Sequence, residues 1–322
     1  MAQSLFITLK QRNPAASIDV LAPSWSIPLL ERMPEVNKAL VMPLGHGQFA
    51  LAARFKLGKQ LRAAAYQQAI VLPNSWKSAL IPFFAGIPHR TGYRGEMRWG
   101  LLNDIRPLDK SQLRMTVQRF VALGLEVNTV TAPVYPSPKL AIEPERQRLV
   151  CEKFQLNTSK NILALCPGAE FGPAKRWPVT HFAEVAKQMH RQDWEVWLIG
   201  SEKDSGIAEQ ITDLSAGACV NFAGRTSLGE AVDLLSFARV VVSNDSGLMH
   251  VAAALDKPVI AIYGSSDPGF TPPLHKQAVI VDLNLDCSPC FKRECPLGHT
   301  HCLTEISPAT IIAAIEDKSA GL

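Results

Sequence analysis

The strongest chemical pattern in the sequence is the run Asn-Asp-Ser-Gly that begins at residue 244, between a β-branched stretch and a stretch of small residues. This order predicts a strand, a tight turn and a helix, with Asp245 or Ser246 as the helix cap and Gly247 allowing close approach of a ligand. The free N–H groups and positive partial charge of a helix start favour a diphosphate. His250 follows one turn into the helix. A simple strand–helix connection is the alternative, but the whole run favours a ligand site.

A second candidate loop follows the apolar run Ile162–Cys166. Gly168 and Gly172 would allow this loop to fold over a phosphate. Lys175 and Arg176 could then neutralise the charge that develops on a leaving phosphate. A surface loop with two solvated cations explains the segment equally well when it is taken alone.

Two further turns are weaker candidates for contacts with a nucleotide. Residues 223–227 precede a predicted helix and offer Thr226 or Ser227 as a cap or a phosphate ligand. Residues 200–204 follow a predicted strand, which places Ser201 where it could contact a ribose or a base.

Basic and polar side chains of the first half could bind an acidic ligand. Residues 86–99, which we predict to be a glycine-interrupted loop, hold arginines at intervals of four from Arg90 to Arg98, with Tyr93 and Trp99 interleaved. Guanidinium groups suit carboxylates and phosphates. Nucleic acid competes as a ligand because aromatic and arginine side chains also stack on bases, but no recognisable nucleic-acid module is present. We therefore expect a small acidic acceptor rather than nucleic acid as the ligand. The residues expected to contact it are Asn74, Lys77, Arg90, Arg94 and Arg98.

A cysteine cluster lies near the end of the chain, at Cys287, Cys290, Cys295 and Cys302. Its C-x2-C start resembles a zinc knuckle, and nearby His299 and His301 are substitute ligands. The second pair is separated by six residues rather than two to four, so free thiols or a disulfide remain alternatives. Four protein ligands would leave no open coordination position, so a zinc ion here would be structural.

Strand-like and helix-like stretches alternate along both halves, which is typical of parallel sheets with helical crossovers. In the first half we predict strands at 18–21, 39–42 and 69–72, and helices at 2–10, 50–65 and 77–84. In the second half we predict strands at 162–166, 195–199, 219–222, 240–243, 259–263 and 278–281. Residues 128–138 contain several prolines and predict a linker. We therefore predict an α/β fold in which two Rossmann-like domains, 1–135 and 136–322, face each other across a cleft.

Composition and charge narrow the class of protein. The chain has 322 residues, of which 47% are hydrophobic and 19% charged, and this excludes disordered and fibrous proteins. No apolar run has membrane-spanning length, the start lacks a secretory-signal profile, and seven cysteines suit a reducing compartment, so we expect a cytoplasmic protein. Residues 1–126 hold 16 Lys and Arg against 7 Asp and Glu. This basic half predicts contact with a polyanion.

Taken together, these motifs resemble the family 9 glycosyltransferases over nearly the whole chain. The resemblance is carried by Asn244–Leu255, Cys166–Pro178, Leu72–Leu80, Pro82–Arg98 and Met42–Gly47. It implies a GT-B fold whose C-terminal domain binds a nucleotide sugar and whose N-terminal domain binds the acceptor. The implied reaction is inverting transfer of heptose from ADP-heptose to the first heptose of the lipopolysaccharide inner core.

The resemblance also assigns roles to residues and partners. Lys175 would stabilise the leaving ADP phosphate, while Asp245, Ser246, Gly247 and His250 would form the diphosphate and heptose pocket. A lysine and a helix N-terminus suffice for an ADP leaving group, so no catalytic metal or other cofactor is expected. The acidic core acceptor would meet the basic half, with peripheral contact at the cytoplasmic face of the inner membrane and no nucleic-acid partner.

One departure from the family pattern concerns the start of the chain. Family members open with a strand and a Gly-Asp loop whose aspartate is the general base, whereas Met1–Phe6 matches the helix after that loop. Either the start was assigned too far downstream or the chain is shortened, and Asp104 is the only replacement base we consider. As written, the chain is expected to bind ADP but to transfer heptose slowly, with exposed sheet edges in its first domain.

Two other functions remain open at this stage. One is a GT-B transferase that uses a different nucleotide sugar. The other is a non-catalytic two-domain ligand-binding protein, which the missing base makes worth testing.

Overall fold

The computed structural model describes residues 1–45, 47–126 and 132–320. It divides into two compact units, the first formed by Met1–Glu31 with Glu35–Pro136 and the second by Arg32–Pro34 with Ser137–Leu322. Residues 128–131 of the predicted linker lie outside the described residues, as does His46 of the motif 42–47. The short segment 32–34 belongs to the second unit because Arg32 Nη2 donates a 2.8 Å hydrogen bond to Asp233 Oδ2, with both side chains buried.

The first unit contains two parallel sheets and five helices among its described residues. Its elements are α1 (Ala2–Arg12), β1 (Asp19–Pro23), α2 (Ile27–Leu30), β2 (Lys38–Met42), α3 (Leu51–Leu61), β3 (Gln68–Val71), α4 (Trp76–Phe84), β4 (His89–Tyr93), β5 (Asp104–Arg106) and α5 (Thr116–Leu123). Strand β1 pairs with β2, and β3, β4 and β5 form a separate sheet in that order.

Close helix contacts hold the first unit together. Helix α1 packs against α5, where Leu5 and Val121 are almost fully buried and a Cβ added at Gly124 would lie 2.5 Å from Leu5 Cδ1. Helix α3 approaches α4 in the same way, since a Cβ at Gly58 would lie 2.5 Å from Phe84 Cβ. Glycine thus permits both contacts because it has no side chain.

The second unit contains one six-stranded parallel sheet flanked by helices. Its elements are α6 (Pro144–Phe154), β6 (Ile162–Cys166), α7 (Val179–Arg191), β7 (Glu195–Leu198), α8 (Ser205–Leu214), β8 (Val220–Asn221), α9 (Leu228–Phe237), β9 (Val240–Asn244), α10 (Gly247–Ala254), β10 (Val259–Ile262), β11 (Val279–Val281), α11 (His301–Thr304) and α12 (Pro308–Ala320). Strands β6, β9 and β10 are buried along their whole length because helices cover both faces of the sheet.

The strand order of this sheet predicts where a ligand binds, outside the carboxyl ends of β6 and β9, here called the ligand edge. From one side it runs β8, β7, β6, β9, β10, β11, which is the 3-2-1-4-5-6 order of a dinucleotide-binding fold when the strands are counted within the unit. The order reverses between β6 and β9, whose register pairs Cys166 with Ser243. Ligands of such sheets bind outside the carboxyl ends of the strands at this reversal. The loops after Cys166 and Asn244 both begin there.

The predicted α/β class with parallel sheets is confirmed, and each predicted strand overlaps an observed one.

The expectation of a loop through residues 86–99 is wrong in part, because His89–Tyr93 forms β4 at the centre of a sheet. Gly92 suits this position, since an added Cβ would lie 3.0 Å from Leu102 Cδ1 and 3.2 Å from the Val71 carbonyl oxygen. In this case glycine indicates close packing within a strand rather than a turn.

Among the helices in the described part of the chain, none combines the length and apolar character needed to cross a membrane.

Candidate functional site

A buried asparagine joins the two loops at the sheet reversal. Asn244 ends β9 and is fully buried. Its Nδ2 donates a 2.7 Å hydrogen bond to the Pro167 carbonyl oxygen, and its Oδ1 accepts a 3.0 Å bond from the Trp177 backbone N–H. These two bonds fix both ends of the loop 167–177 to β9. Asn244 therefore holds the two ends of the loop that carries Lys175.

The same loop brings a lysine to the turn after β9. Lys175 Nζ forms an ion pair with Asp245 Oδ2, and the side chains are only 16% and 6% exposed. Ser266 Oγ donates a 2.6 Å bond to the same carboxylate oxygen. The ring of Phe171 lies 5.0 Å from Lys175 Nζ. The ammonium group is thus held in a fixed, poorly solvated place at the ligand edge, where it is suited to stabilise phosphate charge.

Helix α10 begins beside this ion pair. Ser246 is its N-cap residue, as one of the two predicted choices, but its side chain makes no capping bond. Its Oγ lies 3.1 Å from Ser243 Oγ instead. The first N–H groups of α10 therefore have no side-chain cap and are suited to bind an anion.

His250 lies one turn into α10, as predicted. Burial lowers the pKa of its imidazole to about 4, so the ring is neutral at pH 7. A neutral imidazole can donate one hydrogen bond to a bound ligand without adding charge.

This shifted pKa predicts a dependence of stability on pH. Between about pH 4 and 6.5 the unfolded chain protonates His250 while the folded chain does not, so the free energy of unfolding rises with pH across this window. Replacing His250 by asparagine is expected to flatten that slope. Urea unfolding at several pH values, for the wild type and His250→Asn, measures the difference. Parallel slopes for the two proteins would show that His250 titrates normally.

The weaker nucleotide candidates lie in the same unit. Ser201 Oγ donates a 2.7 Å bond to Asp204 Oδ2 in a capped turn, and a Cβ at Gly168 would come within 2.4 Å of the Asp204 Cγ. Ser227, not Thr226, caps α9 through its contact with the Glu230 backbone N–H. Thr226 Oγ1 is buried and has no hydrogen-bond partner among the described residues.

A glycine fixes the turn that carries Lys175. Gly172 has a φ of +152°, and a Cβ at this position would lie 2.5 Å from the Arg293 carbonyl oxygen. That oxygen also accepts a 3.0 Å bond from the Ala174 backbone N–H. A side chain at residue 172 must therefore displace the turn.

We expect Gly172→Ala to reduce stability by about 1–3 kcal/mol and to reduce activity, because the turn moves Lys175 away from Asp245. Gly206→Ala is the matched control, since nothing lies within 4 Å of an added Cβ there and the residue is in helix α8. Thermal unfolding of both variants measures the effect. Equal melting temperatures for Gly172→Ala and Gly206→Ala would refute it.

The predicted acceptor residues of the first unit have different environments. Arg94 and Asn74 are exposed and Lys77 is partly exposed, so these side chains are accessible. Arg90 is partly buried, donates from Nε to the Leu101 carbonyl oxygen at 2.6 Å and lies over the ring of Phe83.

Arg98 does not fit the prediction of direct acceptor contact. Its side chain is 2% exposed and donates from Nη1 to the Pro73 carbonyl oxygen at 2.7 Å and from Nη2 to that of Tyr93. The arginines do not share one face because β4 ends at Tyr93, and beyond it the Arg98 side chain is buried while its neighbours Met97 and Trp99 are exposed. Arg98 supports the loop that carries the exposed residues.

Asp104, considered as a replacement base, is poorly suited to that role. Hydrogen bonds from Arg106 lower the pKa of its carboxyl group below the ordinary value, with a further contribution from Thr91. A carboxylate whose charged form is stabilised in this way is a weaker proton acceptor.

The four clustered cysteines surround one cavity. They lie in residues 282–302, here called the thiol segment, and line the cavity together with Ala174, Ser265 and His299. All four thiols are unpaired. Hydrogen bonds from backbone N–H groups, first from Thr300 and then from residues 297–299, lower the pKa of Cys295. Among the residues that the structure describes, no three His, Cys, Asp or Glu side chains are placed to hold one metal ion.

Comparison with known proteins places this site in a family. The model of glycosyltransferase family 9 (heptosyltransferase) matches residues 54–301. The chain belongs to glycosyltransferase family 9. This confirms the resemblance seen in the motifs.

Individual family 9 proteins are similar over almost the full chain. Lipopolysaccharide heptosyltransferase 2 of Escherichia coli (strain K12) is 48% identical, with 97% of this chain and 92% of that protein covered. Lipooligosaccharide heptosyltransferase 2 of Haemophilus ducreyi is 47% identical, with 97% and 93% covered. The solved structure of E. coli ADP-heptose lps heptosyltransferase II has a TM-score of 0.88 at 44% identity and covers 99% of this chain and 94% of that one. The GT-B class of fold is thereby confirmed.

Two residues of this candidate site were not predicted as functional. Asn244 is the first residue of the Asn-Asp-Ser-Gly motif, but its hydrogen-bond partners are 67 and 77 residues away in the chain. Ser266 follows β10 in a Gly-Ser-Ser turn, and that position at the carboxyl end of a central strand was the available signal.

Proposed function

We propose that this chain is an inverting glycosyltransferase that moves heptose from ADP-L-glycero-D-manno-heptose to the first heptose of the lipopolysaccharide inner core. The observation that carries the proposal is the 48% identity to a lipopolysaccharide heptosyltransferase 2 over 97% of the chain. The Lys175–Asp245 ion pair at the sheet reversal supports the donor half of the reaction.

In the proposed reaction, an acceptor hydroxyl oxygen forms a bond to the anomeric carbon of the donor while the bond from that carbon to the phosphate oxygen breaks. The hydroxyl proton goes to a base, and ADP leaves with an additional negative charge. Lys175 and the N–H groups at the start of α10 stabilise that charge. Neutral His250 donates a hydrogen bond to the donor. No further cofactor is part of the proposal.

The donor contacts we propose are Gly168, Ser201, Thr226, Asp245, Ser246, Gly247 and His250. Thr226 is included because it lies in the loop directly before α9 and its hydroxyl has no hydrogen-bond partner among the described residues. In this proposal these groups of the second unit contact one nucleotide sugar.

On the acceptor side, we propose that Asn74, Lys77 and Arg94 contact the acidic core directly. Arg90 and Arg98 support them through bonds to backbone carbonyl oxygens. The excess of basic residues in 1–126 supports the choice of an anionic acceptor.

Substitution of two arginines distinguishes a role in acceptor binding from a role in folding. Arg94→Ala is expected to raise the KM for the acceptor about five- to tenfold with unchanged stability, since the exposed side chain loses only its ligand contact. Arg98→Ala is expected to lower the free energy of unfolding by about 2–4 kcal/mol, because buried carbonyl oxygens lose their donors. Steady-state kinetics and urea unfolding of both variants provide the comparison. If Arg94→Ala lowered the free energy of unfolding and left the KM unchanged, Arg94 would have a structural role and the proposed acceptor contact would be wrong.

We also propose peripheral contact with the cytoplasmic face of the inner membrane through the first unit. Helix α3 exposes Leu51 and Phe55 beside Lys56 and Lys59. Such a mixture of apolar and cationic side chains suits an anionic lipid surface.

A transfer assay tests the function. Purified protein is incubated with ADP-heptose and a core acceptor that carries one heptose, and products are analysed by mass spectrometry. We expect one added heptose, and no product with UDP- or GDP-sugars. Donor binding without any product would instead identify a non-catalytic binding protein, and turnover of another nucleotide sugar would identify a different GT-B transferase.

A further inference from the structure

The thiol segment lacks the features that normally stabilise a long stretch of chain. Residues 282–300 form neither strand nor helix. Their large apolar side chains face solvent, with Phe291 56% and Leu297 60% exposed. Long irregular segments with few buried apolar groups need another source of stability, and a bound metal ion is one.

The residue types around one cavity suit such a role. Cys287, Cys290, Cys295 and Cys302 all line one cavity and are all unpaired. The Gly298 N–H donates a 3.1 Å bond to the Cys295 carbonyl oxygen, which fixes a tight turn directly after this cysteine. Thiolate sulfur is the preferred ligand of zinc and of other thiophilic ions.

The segment also contacts the turn that carries Lys175. The Arg293 carbonyl oxygen accepts a 3.0 Å bond from the Ala174 N–H, and the Phe291 N–H donates a 2.7 Å bond to the Ser265 carbonyl oxygen. The Arg293 guanidinium lies 5.6 Å from the centre of the Phe171 ring, which also contacts Lys175. A change in the thiol segment therefore reaches the donor site through direct contacts.

We propose that Cys287, Cys290, Cys295 and Cys302 bind one thiophilic metal ion, with zinc the expected metal, and that the ion holds the Lys175 turn in place. In the part of the chain that the structure describes, no three of these side chains are close enough together to hold one ion. The thiols must therefore rotate inward when the metal binds. Cys287, Cys290 and Cys295 lie in irregular backbone, so their rotation breaks no sheet hydrogen bond, while Cys302 lies in α11. Metal binding and local ordering are coupled in such sites.

The first test measures metal in the full-length protein. After gel filtration, elemental analysis for zinc and iron is expected to give about one ion per chain. Cys290→Ser and Cys302→Ser are expected to lose the ion. Cys151→Ser, which alters a half-buried cysteine of α6 outside the segment, is expected to keep it. The absence of stoichiometric metal in the wild type, or its retention in both segment variants, would overturn the proposal.

A second measurement covers the case in which the serine variants fail to fold. Wild-type protein exchanged with Co²⁺ is expected to show absorption from thiolate-to-cobalt charge transfer and tetrahedral coordination. Titration of thiols without reductant is expected to find all seven cysteines reduced once the metal is removed. A missing cobalt spectrum, or a disulfide within the segment, would overturn the site.

The effect on the donor site is measured separately. Removing the metal with a chelator is expected to weaken ADP binding about fivefold or more. This part rests on the proposed function, whereas the metal content does not, so failure of heptose transfer would leave the metal site to be decided by its own measurements. Unchanged ADP affinity with metal removed would refute the coupling.

Discussion

Replacing Lys175 by alanine is expected to lower kcat for heptose transfer by about 10²–10³. The loss has this size because a fixed donor facing developing charge, in a poorly solvated place, contributes that much to catalysis. Lys175 meets both conditions, since its side chain is 16% exposed and is held by Asp245. Steady-state kinetics at saturating donor and acceptor measure the effect. A kcat within threefold of the wild type would contradict it.

Two further variants separate this effect from damage to folding. Lys160→Ala removes a lysine that pairs with Asp193 beside the start of β6, at the opposite edge of the sheet, and should leave kcat unchanged. Lys175→Arg keeps the charge and should retain more activity than alanine. Circular dichroism of Lys175→Ala checks the fold, because removal of one partner from a buried ion pair costs about 3–5 kcal/mol.

Replacing Asn244 by alanine is the second change with a large expected effect. The Pro167 carbonyl oxygen and the Trp177 N–H would both lose a buried partner, so the free energy of unfolding is expected to fall by about 2–6 kcal/mol. Because the loop 167–177 carries Lys175, kcat is expected to fall by about 10- to 100-fold. Urea unfolding and kinetics measure the two effects.

The matched control for this change is Asn161→Ala. Asn161 also accepts a side-chain hydrogen bond, from Arg239, but it is exposed and lies before β6. We expect near wild-type stability and activity from that variant. If Asn244→Ala behaved like Asn161→Ala, the loop would not depend on this side chain.

Much of the second unit could be predicted from sequence because its central strands are buried on both faces. Such strands require continuous apolar, β-branched runs, and β6 and β9 have them. The polar residues directly after these runs were then expected at one edge. Asp245 and Lys175 are found together there.

The first unit was harder to predict for the same physical reason. Strand β5 is the three-residue run Asp-Ile-Arg, whose polar ends give no apolar signal. Strand β4 includes Gly92, a residue type that is depleted in strands, and the polar residues His89 and Arg90, so it forms no apolar run. Pairing with neighbouring strands stabilises both, and this pairing cannot be deduced from local composition.

Individual side-chain roles depended on long-range contacts. The spacing of four suggested a shared role for Arg94 and Arg98, but only the fold shows one exposed and the other buried. The capping bond expected near Ser246 is absent because its hydroxyl contacts Ser243 instead. Spacing indicated which segments to consider, but it could not identify the hydrogen-bond partners.

The most direct test of the account is a calorimetric titration of ADP into the full-length protein with no magnesium added. If Lys175 and the start of α10 hold the diphosphate, one ADP binds per chain, and Lys175→Ala weakens binding about tenfold or more. No heat on adding ADP, or equal affinity in Lys175→Ala and the wild type, would contradict the account.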